Sequence, residues 1–97
     1  MPNNSLSTGR RSGIGPSGIP ISDRDLVASN GVIIYSDKNN TDYIYIGNSG
    51  LTADSNDVTD GFPMSSGDAL FLEHRNPENL FVRSKTDTSQ KIWWILQ

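Results

Sequence analysis

The chain has no cysteine, so neither a disulfide nor a thiolate metal cage can hold it together. It has a single histidine, His74, which excludes a multi-histidine metal site within one chain. No run approaches the roughly 18 apolar residues of a membrane span. Ser, Gly, Asn and Pro interrupt the N-terminal stretch where a signal peptide would carry its apolar segment. A protein made and kept soluble in a cytoplasm is the expectation, with no membrane partner. Large apolar side chains are also scarce: the apolar fraction is 34%, against about 45–50% in ordinary globular chains. The shortfall is concentrated in residues 1–30. The core is therefore expected from residues 31–97, a length at which one core supplies only about 3–5 kcal/mol. That size points to a homo-oligomer, a trimer or dimer, or to docking on a larger body.

Charge is unevenly spread. Residues 1–20 carry Arg10 and Arg11 and no acid, whereas the remainder carries six basic and eleven acidic residues. An acidic body argues against a nucleic-acid partner. Two arginines bind phosphate weakly, so an acidic protein surface suits them better.

The first twenty residues, MPNNSLSTGRRSGIGPSGIP, are rich in Gly, Ser, Pro and Asn. On their own they cannot bury enough surface to offset their ordering entropy. The expectation is an extended arm over residues 1–27 in front of a β-domain over 28–97. A surface outside the domain would hold the arm, with Ile14, Ile19 and Ile21 as anchors beside Arg10 and Arg11. Pro16 and Pro20 keep such a segment extended.

From Ile21 onward the signals are for strands. Residues 21–28 make a weak first one. Val32-Ile33-Ile34-Tyr35 is a β run closed by Ser36-Asp37-Lys38-Asn39-Asn40, which is turn chemistry. Tyr43-Ile44-Tyr45-Ile46 follows, and the short spacing predicts an antiparallel hairpin. Residues 47–67 hold Gly47, Gly50, Gly61, Pro63 and Gly67 and read mostly as loop. Three more runs follow at 69–73, 80–83 and 91–96. No segment sustains a helical period. Short strands with regular turns predict an all-β protein, a small antiparallel sandwich or barrel of jelly-roll type.

Alternation assigns faces. Ile92, Trp94 and Leu96 share one face of the last strand, Trp93 and Ile95 the other. Ile44 and Ile46 oppose Tyr43 and Tyr45; Leu70 and Leu72 oppose Phe71 and Glu73. A two-layer domain needs one apolar face per strand, so Tyr43, Tyr45, Trp93 and Phe71 are surplus. Either loops or the arm cover them, or a barrel bends over them, or they meet a partner, a role in which Trp and Tyr are common.

Chemistry is thin. Asp54, Asn56, Asp57 and Asp60 form a solvated acidic loop or a loose calcium site. An EF-hand starting at Asp54 fails, because Val58 and Thr59 stand at its fifth and sixth places and Ser65 at its twelfth. His74 has no positioned partner for general-base work. Asp68 and Glu73, five apart on a strand, face opposite sides. Asn3 and Asn39 lie in glycosylation sequons that mean little without a secretion signal. No catalytic residue, metal ligand or cofactor site emerges, and the chain is not expected to be an enzyme.

One ordered series is more specific. Gly31-Val32-Ile33-Ile34 leads to Asn40-Thr41, then Ile44-Tyr45-Ile46-Gly47-Asn48 and Gly50-Leu51-Thr52. Gly61-Phe62-Pro63-Met64 and Gly67-Asp68-Ala69-Leu70-Phe71-Leu72-Glu73 follow, then Asn79-Leu80-Phe81-Val82 and a closing apolar strand. The series resembles the small β-domain of tailed-bacteriophage capsid decoration (cement) proteins and related virion proteins, over about residues 31–96. Residues 53–60 depart from it as an insertion into a tighter turn, and the arm lies outside it. The resemblance implies a structural protein on the capsid surface, often oligomeric, with the major capsid protein as partner. The arm would then staple neighbouring subunits, and Tyr43, Tyr45 and Trp93 would meet the oligomer or the partner. The other reading is a carbohydrate- or receptor-binding module of a head fibre or tail, with Tyr35, Tyr43, Tyr45, Trp93 or Trp94 stacking on sugars.

Overall fold

A computed structural model describes residues 7–22, 30–56, 58–73, 76 and 79–96. They form eight strands: β1 (Ser7–Ile14), β2 (Ile19–Pro20), β3 (Val32–Ser36), β4 (Ile44–Gly47), β5 (Phe62–Met64), β6 (Ala69–Leu72), β7 (Phe81–Arg83) and β8 (Gln90–Leu96). Every strand pairing is antiparallel. One sheet has the order β1-β8-β3-β6, the other β2-β7-β4-β5. Consecutive strands thus alternate largely between two facing sheets, which is the order of a jelly roll. The fold is all-β, as the alternation and turn spacing predict.

The core lies between the sheets. Val32 and Ile34 of β3 and Ile92, Trp94 and Leu96 of β8 meet Ile44, Ile46, Met64 and Val82 from the second sheet. Each belongs to the inward set of its strand. Leu70 and Leu72 of β6 pack against this cluster from the sheet edge and stay partly exposed.

Two expectations need correction. Residues 31–97 do not make the core alone: Ile14 and Ile21 are fully buried within it, and Ile19 packs against it. Ser7–Ile14 runs beside β8, with Gly9 opposite Trp94 and Arg10 opposite Trp93. Gly9 is required there, because a Cβ would come within 2.2 Å of the Trp94 indole. Past Arg11 the register shifts, and Gly13 takes a φ of 69°. This bulge turns Ile14 into the core. A boundary at residue 27 therefore has no counterpart in the packing of residues 7–22, whose two strands give one edge to each sheet. Composition alone cannot reveal this, since β8 supplies the pairing and the apolar surface that β1 lacks.

The second correction concerns the hairpin. β3 pairs with β6 and β8, whereas β4 pairs with β5 and β7. The turn between β3 and β4 crosses from one sheet to the other because its polar groups bond to the segment 84–91. The buried Gln90 accepts the Thr41 and Asp42 amides at 2.8 and 3.0 Å on its Oε1. Asn40 exchanges hydrogen bonds with the Lys91 backbone, 2.7 and 2.8 Å. Asp42 Oδ2 accepts the amides of Lys85, Thr86 and Asp87 at 2.8–3.0 Å. Within the stretch read as loop, Phe62-Pro63-Met64 is an edge strand. The weak strand over 21–28 falls largely on residues 23–29, which lie outside the described residues.

Candidate functional site: the outer face of the first sheet

Because β8 and β3 send Trp94, Ile92, Ile34 and Val32 inward, their neighbours must point out. The register aligns these outward residues in two adjacent rungs. One is Thr8–Ile95–Ile33–Phe71, the other Arg10–Trp93–Tyr35–Ala69. Apart from Thr8 and Arg10 at the β1 edge, both rungs are apolar. Phe71 is 47% exposed and Trp93 43%, while Ile33, Tyr35 and Ile95 are half-buried. Thr8, Ile33, Tyr35, Trp93 and Ile95 line a shallow groove on this face.

Trp93 is held from two sides. Its indole Nε1 donates to Asp37 Oδ1 at 3.0 Å. The Arg10 guanidinium lies over its ring, 5.5 Å from the centroid, within cation–π range. Asp37 sits below the usual aspartate range, chiefly through the bond from Trp93 and then through the Asn39 amide. The carboxylate therefore stays ionised at neutral pH, and the ring presents a fixed apolar surface between a cation and an anion.

The other expected contact residues lie elsewhere. Tyr45 projects from the outer face of the second sheet, yet it is only 7% exposed. It shares a cleft with Asp54, Asp60 and Pro63. Burial, and then the Asp54 charge, push its hydroxyl pKa up. Tyr43 is half exposed beside it, with ring centroids 6.4 Å apart. The insertion supplies one wall of that cleft. Asp60 ties it together by accepting from Thr52 Oγ1, the Ser55 amide and hydroxyl, and the Asn56 amide, at 2.6–3.2 Å. Lys85 reaches Asp54 at 2.8 Å. Among the described residues no three His, Cys, Asp or Glu side chains converge on a metal-sized site. Asp57 and His74 lie outside the described residues, as does Asn3. Asp68 binds the Ser65 amide and hydroxyl within its own turn.

Of the arm residues, Arg10 belongs to this outer face. Arg11 stands opposite Ile92 and is half-buried; Ile14 and Ile21 are committed to the core. Trp94 is 5% exposed and Tyr45 nearly as buried, so neither can stack on a sugar. Tyr43 precedes β4, in the sheet opposite Trp93, so it shares no platform with that ring. Sequence reasoning missed Arg10 as a partner of Trp93, because it depends on the pairing of β1 with β8. No family model matches the chain, and no curated protein or solved structure is detectably similar to it.

Proposed function

We propose that the chain is a structural protein of a tailed-bacteriophage particle. In this reading it is a decoration protein that binds the major capsid protein on the outer capsid surface through the outer face of the first sheet. The observation that carries the reading is that face. A sheet packed on a core needs one apolar side, and this one has two. Trp93, Tyr35, Ile33, Ile95 and Phe71 sit together on adjacent rungs, and Trp and Tyr are frequent anchors of protein interfaces. The resemblance of residues 31–96 to phage decoration domains supports the choice of partner. Stapling by an arm gives way to docking by a face, with Arg10 at its rim, because Ile14 and Ile21 are occupied internally.

The test is binding of the purified chain to capsids that lack it, read by co-sedimentation, together with its copy number in intact particles. Hundreds of copies at a fixed ratio to the capsid protein are expected. Trp93→Ser should weaken capsid binding by about 30-fold or more, the effect of losing a central interface anchor. Undiminished binding by that variant overturns the face, and absence from particles overturns the virion assignment. Sugar binding lost with Trp93 and unaccompanied by capsid binding would favour the carbohydrate-binding module instead.

A further inference from the structure

A sheet edge offers unpaired backbone groups to any passing strand, and proteins blunt such edges with proline, charge or bulges. Three of the four edges here are blunted. β1 carries Arg10, Arg11 and the bulge at Gly13; β2 is Ile19-Pro20; β5 is Phe62-Pro63-Met64. The fourth, β6, reads Ala69-Leu70-Phe71-Leu72 and has no such device within the strand, the acids Asp68 and Glu73 standing just outside it. We propose that β6 pairs antiparallel with β6 of a second copy, joining two first sheets into one eight-stranded sheet across a two-fold axis.

The backbone fixes which groups are available. Ser36 N donates to Asp68 O at 2.8 Å at the end of the β3–β6 ladder. Bonding alternates from there, so Leu70 and Leu72 bond toward β3. The N–H and C=O of Ala69 and Phe71 then point to the open edge. A two-fold axis normal to the sheet keeps every residue on its own face, so only registers that match like faces are allowed. With Leu70 opposite the second copy's Leu70, Ala69 stands opposite the second copy's Phe71, and the reverse. Four backbone hydrogen bonds form from Ala69 and Phe71 of the two chains. The smallest outward side chain of β6 faces its largest, so the Phe71 ring has room to lie across the seam. On the core side, the half-buried Leu70 of each copy extends the other's core.

The second copy is favoured over another partner strand for two reasons. β6 has no charge that would select a foreign sequence. The other three described edges are blunted, so of the edges a second copy offers, β6 is the one open to pairing. An isologous, closed dimer follows, and no open fibre. The inference does not rest on the virion reading, since it concerns the protein free in solution.

The experiment is sedimentation equilibrium on the full chain over a concentration series, with amide hydrogen exchange at the ends of the series. The wild type is expected to be a dimer, with Phe71 N–H protection rising with concentration and Leu70 N–H protected throughout. Phe71→Pro removes an N–H that β3 does not use, a change edge strands tolerate. It should give a folded monomer. Phe71→Lys, which keeps the N–H and adds an edge charge, should weaken association at least tenfold and decides the matter if the proline variant fails to fold. A wild type that stays monomeric at its highest soluble concentration overturns the proposal. So does an oligomer, dimer or trimer, that both variants leave intact. Trp93→Ser should still dimerise, which separates failure here from failure of the capsid-docking face.

Discussion

The two sheets each have one face more than the core requires, and they finish it differently. On the second sheet, Tyr45 shares a cleft with Asp54 and Asp60 of the insertion and is almost fully buried. On the first, Trp93 and Phe71 stay nearly half exposed, with no described loop folded over them. Alternation in the sequence marks Tyr45 and Trp93 alike as surplus aromatics. What separates them is the stretch 53–60, whose Asp54 and Asp60 wall the cleft that holds Tyr45. An outward aromatic is therefore evidence for a partner only after the chain's own loops have been placed.

Both four-stranded sheets are complete only with their N-terminal edge strands. Residues 7–20 give β1 to the first sheet and β2 to the second. Deleting residues 1–20 removes both edges and the side chains of Ile14 and Ile19. Losing a buried isoleucine side chain costs about 2–5 kcal/mol, against a total stability of about 5–15 kcal/mol for a domain. The truncated chain should lose its cooperative thermal transition in circular dichroism. A truncated chain that melts cooperatively near the wild-type midpoint would restore an arm separate from the domain.

A smaller effect is expected at the insertion beside the second sheet. Asp60→Ala strips the acceptor shared by Thr52, Ser55 and Asn56. These bonds are largely solvent-facing, so the loss should be about 1–2 kcal/mol in urea unfolding. The sharper readout is Tyr45. Its hydroxyl titrates above the ordinary tyrosine range in the wild type, because of burial and the nearby Asp54 charge. In the variant, the late phase of the ultraviolet phenolate titration should move down toward the ordinary value of about 10. The proposed capsid binding through Trp93 should not change. If the late phase persists, the insertion is not what shields Tyr45.

Much of the fold is legible in the chain, and the gaps have physical causes. The runs that form β3, β4, β6, β7 and β8 are rich in β-branched and aromatic residues, and their inward and outward faces follow from alternation alone. Phe62-Pro63-Met64 does not read as a strand because proline is excluded from strand interiors; it is admitted here as an edge. Ser7–Gly13 has no apolar pattern at all. It is a strand because β8 has a free side and because the Trp94 indole needs a residue without a side chain, Gly9, beside it. The mistaken β3–β4 hairpin reflects distant bonding: Asn40 and Asp42 are anchored by residues 84–91, beyond any local signal. Half of the site was visible as Trp93 and Phe71. Arg10 and Asp37 were not, since only the sheet order brings them to the ring.

The smallest expected effects concern two aspartates that are shifted alike, one holding the crossing turn and the other the Trp93 ring. Burial pushes Asp42 up, but the amides of Thr86, Asp87, Tyr43 and Lys85 together outweigh it and leave the carboxyl below its ordinary value. Asp37 is also lowered, first by the Trp93 indole N–H. A depressed carboxyl takes its proton in the unfolded chain first as pH falls. The stability it provides is thus present above about pH 4 and is lost as pH drops from there through the folded value. For Asp42, which clamps the crossing turn, this loss should appear as an acid limb in a melting-temperature profile. Asp42→Asn should lower the neutral plateau and flatten that limb. For Asp37, at the surface, no measurable stability change is expected. Its protonation should instead move the Trp93 indole N–H resonance, with a midpoint below the ordinary aspartate value. Asp37→Asn should abolish that titration while leaving the melting profile in place. A Trp93 resonance that does not move in acid, or moves equally in the Asp37→Asn variant, would show that Asp37 does not hold the ring and that the outer face is less fixed than its geometry implies.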